Sequence, residues 1–199
     1  MNEQLLISVE DYKQIYECIF SVLDSTNNVT THSSCLFFAA AGALILQKHY
    51  GLTPSITAGL MALVIDDENP EFPNTIVYGR RENGRFLSDE DGFHAWVECD
   101  GWHIDFMAPL FSSAYRAAAQ NRHVPNKMMQ MKKTEMKQSV FELKQSGDLH
   151  AVGDANLCEA LLDRQDDAFS ARLVAVMKKF VRPPVRLVVL SAPSFNGAW

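Results

Sequence analysis

Apolar residues recur at Val9, Tyr12, Ile15/Tyr16, Ile19 and Val22/Leu23, the spacing of a helix with one buried stripe, and predict a helix over 9–24. Cys18 sits beside that stripe and reads as a small buried hydrophobe. A polar loop, STNNVTTHSS, fills 25–34. Residues 34–50 are then apolar almost all round, with Ala and Leu prominent. That pattern predicts a helix buried on most sides, stopped by Gly51.

Beyond Gly51 the period changes. SITAGLMALVI (55–65) and NTIVY (74–78) read as strands, separated by the acidic, proline-containing loop DDENPEFP. A second polar loop covers 80–92. FHAWVEC and WHIDF follow, joined across Asp100-Gly101, a strong hairpin signal. Residues 112–121 and 127–146 are expected to be helical, the second Lys- and Met-rich and ended by Gly147. One long or two shorter helices are expected over 155–180, with Cys158 in the core. Arg182-Pro183-Pro184 breaks the pattern, and 185–190 reads as a terminal strand. Helices, strands, helices and a strand in that order make an α+β arrangement.

Composition narrows the function classes. With 199 residues, 47% hydrophobic and 21% charged, the chain is long and apolar enough for a substantial core without metals or disulfides. A net charge of -6 argues against a general nucleic-acid binder. The N-terminus lacks the basic and apolar regions of a signal peptide, and no apolar run approaches the ~20 residues of a membrane span. A cytoplasmic protein with no membrane partner is expected. Its four cysteines form no CxxC pair and are expected to be thiols.

Two places carry candidate chemistry. Cys35 follows Ser33-Ser34, a natural N-cap, and so falls in the first turn of the apolar helix. Free backbone N–H groups and the positive end of the helix dipole there favour a thiolate and can hold an oxyanion. The second place is the hairpin. A two-residue Asp100-Gly101 turn sets Cys99 opposite Trp102, Glu98 opposite His103, Trp96 opposite Asp105 and His94 opposite Met107. Side chains alternate, so Ala95, Val97, Cys99, Trp102, Ile104 and Phe106 share an apolar face. His94, Trp96, Glu98, His103, Asp105 and Met107 share the other. His94 and Asp105 become diagonal neighbours, about 7–8 Å apart at the backbone. The aspartate can then fix the imidazole and leave its second nitrogen free as a base toward a thiol. Trp96 on this face predicts a covered surface, whereas His103 is expected to be exposed.

A cysteine opening an Ala-rich helix, followed by HAWVECDGWHIDF, resembles the transglutaminase-like, papain-related superfamily. The motif layout is similar to that of lasso-peptide leader peptidases in Cys35-Leu36, Gly51-Leu52, His94 to Glu98 and Asp100-Gly101. The resemblance covers roughly residues 33–107. It implies a nucleophile at Cys35, a base at His94 and an orienting acid at Asp105. It also implies a single domain over 1–199 with a papain-like core, in which N-terminal helices carry Cys35 against an antiparallel sheet of 55–65, 74–78, 93–99 and 102–107, with 185–190 as a candidate further strand. Residues 110–182 would be a mainly helical extension. The chain departs from the pattern in placing His94 59 positions after Cys35, the excess lying in loops 66–73 and 80–92. The reaction implied is thiolate attack on a peptide or small amide or ester substrate through a thioester, with hydrolysis favoured and no cofactor required. Acyl transfer with the same triad, or a non-catalytic binding module on this fold, are the alternatives.

Other features point to blander roles. His32-x-x-Cys35 could bind a metal with Cys99, His103 or His123, but no second pair has zinc spacing, and no metal is expected. Arg80, Arg81 and Arg85 form a small basic patch that reads as a solvated loop. The Met-rich stretch 127–136 reads as packing material.

Overall fold

Ser8 opens the first helix because its hydroxyl oxygen accepts from the backbone N–H of Asp11 (3.0 Å), satisfying a donor the helix itself cannot. The helix, α1 (Val9–Asp24), buries Tyr12, Ile15, Cys18, Ile19, Val22 and Leu23, the stripe the spacing predicts. Residues 5–26, 34–67, 71, 73–111 and 127–182 are described by the computed structural model.

The second helix, α2 (Cys35–Ile45), runs on as a π-helical turn over Leu46–Tyr50 and stops at Gly51, whose φ of +68° suits glycine. Only Leu44 of α2 is exposed. Three neighbours enclose it. Phe38 stacks on Tyr16 of α1, and Phe37 meets Phe169 edge-on. On a third side Gly42 admits the Phe106 ring so closely that an added Cβ would lie 2.2 Å from it.

The six-stranded antiparallel sheet is built around β1 (Ser55–Asp66). On one edge, Ser55–Gly59 pairs with β5 (His94–Cys99) and Met61–Asp66 with β2 (Asn74–Tyr78). Residues Gly59–Leu63 also pair with β8 (Leu149–Gly153). Since Met61 and Leu63 have partners in both β2 and β8, those strands take opposite edges of β1. Strands β2 and β5 therefore follow one another along a single edge, and the chain between them leaves the sheet and returns. That excursion, expected as a loop, contains a hairpin of β3 (Arg80–Glu82) and β4 (Arg85–Leu87). Asn83 and Gly84 turn it with φ of 49° and 78°, the same signal that Asp100-Gly101 carries. Arg80 pairs with Glu82 and Asp89, as a solvated patch does.

The sheet continues through β6 (Trp102–Asp105) to β7 (Met129–Lys132). Here the sequence-based expectation fails. Residues 127–146 are not a helix: they hold β7 and short 3-10 turns at Lys133–Glu135 and Val140–Glu142. Met, Gln and Lys favour helix only by tenths of a kcal/mol. The free edge of β6 offers a ladder, with Asp105 opposite Met129 and His103 opposite Met131, and pairing overrides that preference. Within the C-terminal extension, the described residues 127–182 are thus not mainly helical; they supply two strands as well as α3 (Ala155–Asp163) and α4 (Asp167–Lys179). Asp154 and Asp166 cap those two helices, which is why 155–180 is interrupted. The helix expected at 112–121 and the strand at 185–190 lie outside the described residues. Among the described residues no helix is long and apolar enough to cross a membrane.

Candidate active site

Cys35 is the first residue of α2, following Ser34 at the N-cap position, and is buried. Ser34 makes no side-chain capping bond to α2; its carbonyl accepts from Phe38 N–H at 3.0 Å.

The hairpin has the predicted register: Val97 faces Ile104, Glu98 faces His103 and Cys99 faces Trp102. Asp100 and Gly101 turn it with φ of 49° and 79°. His94 and Asp105 consequently meet, with 2.7 Å between Nε2 and Oδ2, both side chains at most 1% exposed. A carboxylate can only accept, so Nε2 carries the proton. The other oxygen, Oδ1, accepts from Met107 N–H at 2.9 Å, which locks the carboxylate's orientation. Behind it, the hydroxyl of Tyr12 donates to the backbone carbonyl of Asp105, tying β6 to α1.

Burial alone would push the His94 imidazole toward the neutral form. The Asp105 carboxylate, by charge and hydrogen bond, outweighs that, and Cys35 adds to it; the pKa rises to about 10. His94 Nδ1 is buried without a partner at hydrogen-bond geometry, although the Cys35 thiol is near enough to act on the ring. The thiol–imidazole contact is therefore looser than a formed hydrogen bond, a common state for a site without substrate.

Two aromatic residues that sequence reasoning passed over complete the enclosure. Tyr78 ends β2 just where β5 begins on the same edge of β1, and its ring lies 4.5 Å from that of His94. Burial and the nearby Asp105 and Cys35 keep its phenol protonated. Phe111 meets His94 edge-on at 5.3 Å and Tyr78 at 5.5 Å. No local motif marks either residue.

Trp96 is 1% exposed, as its place on this face predicts, and its indole N–H donates to Glu98 Oε1 at 3.2 Å. Glu98 also binds Lys133 and so is not the partner of His94. His103 corrects an expectation. It is fully buried, its ring 5.2 Å from that of Trp96 and tilted over it, with both nitrogens unpartnered. The pairing of β7 sets Met131 beside it on the same face. His32 and His123 lie outside the described residues. Cys18, Cys99 and Cys158 are buried thiols whose pKa values burial pushes up.

No curated protein matches this chain. A solved chain, "The crystal structure of genomics APC5867", is similar to it at 32% identity and a TM-score of 0.75, over 92% of this chain and 85% of that one. A family model matches residues 8–193, nearly the whole sequence. The chain belongs to that family, described as Protein of unknown function (DUF2026).

Proposed function

We propose that the protein is a cysteine-dependent hydrolase, a peptidase or amidase of the transglutaminase-like, papain-related type. The observation that carries this reading is the buried 2.7 Å His94–Asp105 pair set beside the first residue of a helix, Cys35. The α2 helix beginning at the cysteine and the curled antiparallel sheet bearing the other two residues support a papain-like core.

In this reading the Cys35 sulfur attacks an amide or ester carbonyl carbon, with His94 as its counter-ion. Backbone N–H groups of the first turn of α2 hold the oxyanion. His94 gives its Nδ1 proton to the departing amine or alcohol, leaving a thioester on Cys35. Water, deprotonated by His94, then attacks the thioester carbonyl, and the tetrahedral intermediate collapses to the acid and the Cys35 thiolate, again beside a protonated His94. Asp105 stays ionised and orients the ring throughout. The cytoplasm suits an enzyme whose four cysteines are all free thiols.

Intact-mass analysis after iodoacetamide treatment at pH 6 tests the nucleophile. Selective single modification at Cys35 is expected, because burial raises the other three thiols. Uniform slow labelling of all four would refute the reading. A panel of short peptides and activated esters, run against Cys35→Ala, then assigns the reaction.

A further inference from the structure

Behind the His94–Asp105 pair lies a cavity of about 140 Å³. Leu63 and Ile65 of β1, Met129 and Met131 of β7, Ala108 and Phe111 form half of its lining. Register places these strand residues on the catalytic side of the sheet. Met129 is opposite Asp105 and Met131 opposite His103, while Leu63 lies four positions on from Gly59, which is opposite His94, and the bulge between Val64 and Asp66 brings both Val64 and Ile65 to the cavity. The cavity is thus the inside of the curl, between β1 and β7. Phe111 is the common wall, since its ring both lines the cavity and lies edge-on to His94.

The chemistry of the lining selects an occupant. One cationic side chain is present, Lys127, and its amine is held by Ser146 Oγ at 3.0 Å, at an exposed position. Gln130 also lines the cavity, but its amide is already engaged with the backbone N–H and carbonyl of Ile7. The other side chains are mainly thioethers, aliphatic chains and one aromatic ring, which cannot replace the hydration of a carboxylate. Methionines adapt their shape to varied apolar partners. Engineered apolar cavities of ~150 Å³ take up benzene. Folding does not call for a void of this size, since it costs stability.

Building on the hydrolase reading above, we infer that this cavity receives an uncharged apolar side chain or acyl group of the substrate, up to about a phenyl ring in size, and so presents the adjoining carbonyl to Cys35. The substrate class is then an amide or ester with an apolar group beside the scissile bond.

The test compares alkylation rates at Cys35 for iodoacetamide and N-benzyl iodoacetamide, each normalised to its rate with glutathione. In both reactions the sulfur displaces iodide and forms a thioether. The benzyl reagent is expected to react at least tenfold faster on the normalised scale. The ratio should fall toward one in Ala108→Leu, which fills the cavity. Toluene-saturated buffer should lower the ratio in the unmodified protein, an arm that needs no variant to fold. Selective Cys35 labelling with a normalised ratio near one would overturn the cavity assignment and leave the nucleophile standing. A high ratio insensitive to both Ala108→Leu and toluene would also overturn it, placing the preference elsewhere. Labelling of all four cysteines at similar rates with either reagent would refute the nucleophile and the cavity's role together.

Discussion

Two buried histidines on one face of one hairpin are held in opposite charge states. His94 has a carboxylate partner and is driven toward protonation, with a pKa of about 10. His103 has no hydrogen-bond partner, and burial lowers its pKa to about 4. The consequences for stability have opposite signs. His94's contribution is fully present below the unfolded pKa of about 6.5 and is lost as pH rises through about 10. Asp105→Asn should remove that alkaline loss and cost about 1.5–3 kcal/mol at neutral pH, the range for a hydrogen bond to a charged group. Urea denaturation at pH 6, 8 and 10 checks this. On the proposed mechanism, in which α2 supplies part of the activation and Asp105 chiefly orients the proton donor, turnover in the same variant should fall while Cys35 still alkylates. Full specific activity in folded Asp105→Asn would make Asp105 structural. Cys35→Ala should abolish turnover with little loss of stability. His103's contribution is present above about 6.5 and is lost as pH falls toward about 4, a change on the order of 3 kcal/mol. His103→Phe keeps a ring over Trp96 and should flatten the acid limb between pH 6.5 and 4. An unchanged acid limb would show that water or a partner satisfies His103 in solution.

At the level of elements, the site depends on how deeply α2 seats against the sheet. Gly42 sets that depth because the Phe106 ring occupies the space a side chain would fill, and Phe106 directly follows Asp105. In an isolated helix, Gly→Ala gains ~1 kcal/mol. Here the added carbon meets a buried ring, and overpacking typically costs ~1–3 kcal/mol. Gly42→Ala is therefore expected to lose stability on balance, by about 1 kcal/mol, and to slow alkylation of Cys35 at pH 6 by moving the helix start away from His94. Denaturation midpoints and labelling rates measure the two effects separately. A more stable variant with unchanged labelling would show that Phe106 yields and that Gly42 does not set the register. Both partners in this contact were visible as apolar positions in the chain. Their apposition was not, since 64 positions separate them and helix periodicity says nothing about which ring a glycine receives.

Across the whole molecule, the long spacing between Cys35 and His94 has a simple origin. Strands β2 and β5 share one edge of β1, and the chain between them is an excursion carrying the β3–β4 hairpin. Its two ends meet, since a Cβ on Gly92 would lie 3.1 Å from the Gly79 carbonyl carbon. Deleting residues 80–91 and joining Gly79 to Gly92 through one glycine is expected to leave a cooperatively folded protein with selective Cys35 labelling at pH 6. Thermal unfolding and intact mass check the two points, and loss of both would make the hairpin integral to the site. The excursion also delivers Tyr78 and His94 side by side, so a local insertion disturbs the pair little.

What the sequence by itself determined is local. The α1 stripe, the apolar α2 with Cys35 at its start, and the Asp100-Gly101 register all follow from side-chain periods and turn geometry within about a dozen residues. That range sufficed to place His94 and Asp105 on one face, because strand alternation and a two-residue turn leave no other outcome. Tertiary structure decided the rest: β7 and β8 as strands, His103 as a buried residue, Tyr78 and Phe111 around His94, and the cavity inside the curl. Each of these depends on which distant segment covers a free edge or face. Intrinsic preferences of a few tenths of a kcal/mol per residue cannot settle that against the larger free energies of edge pairing and apolar burial.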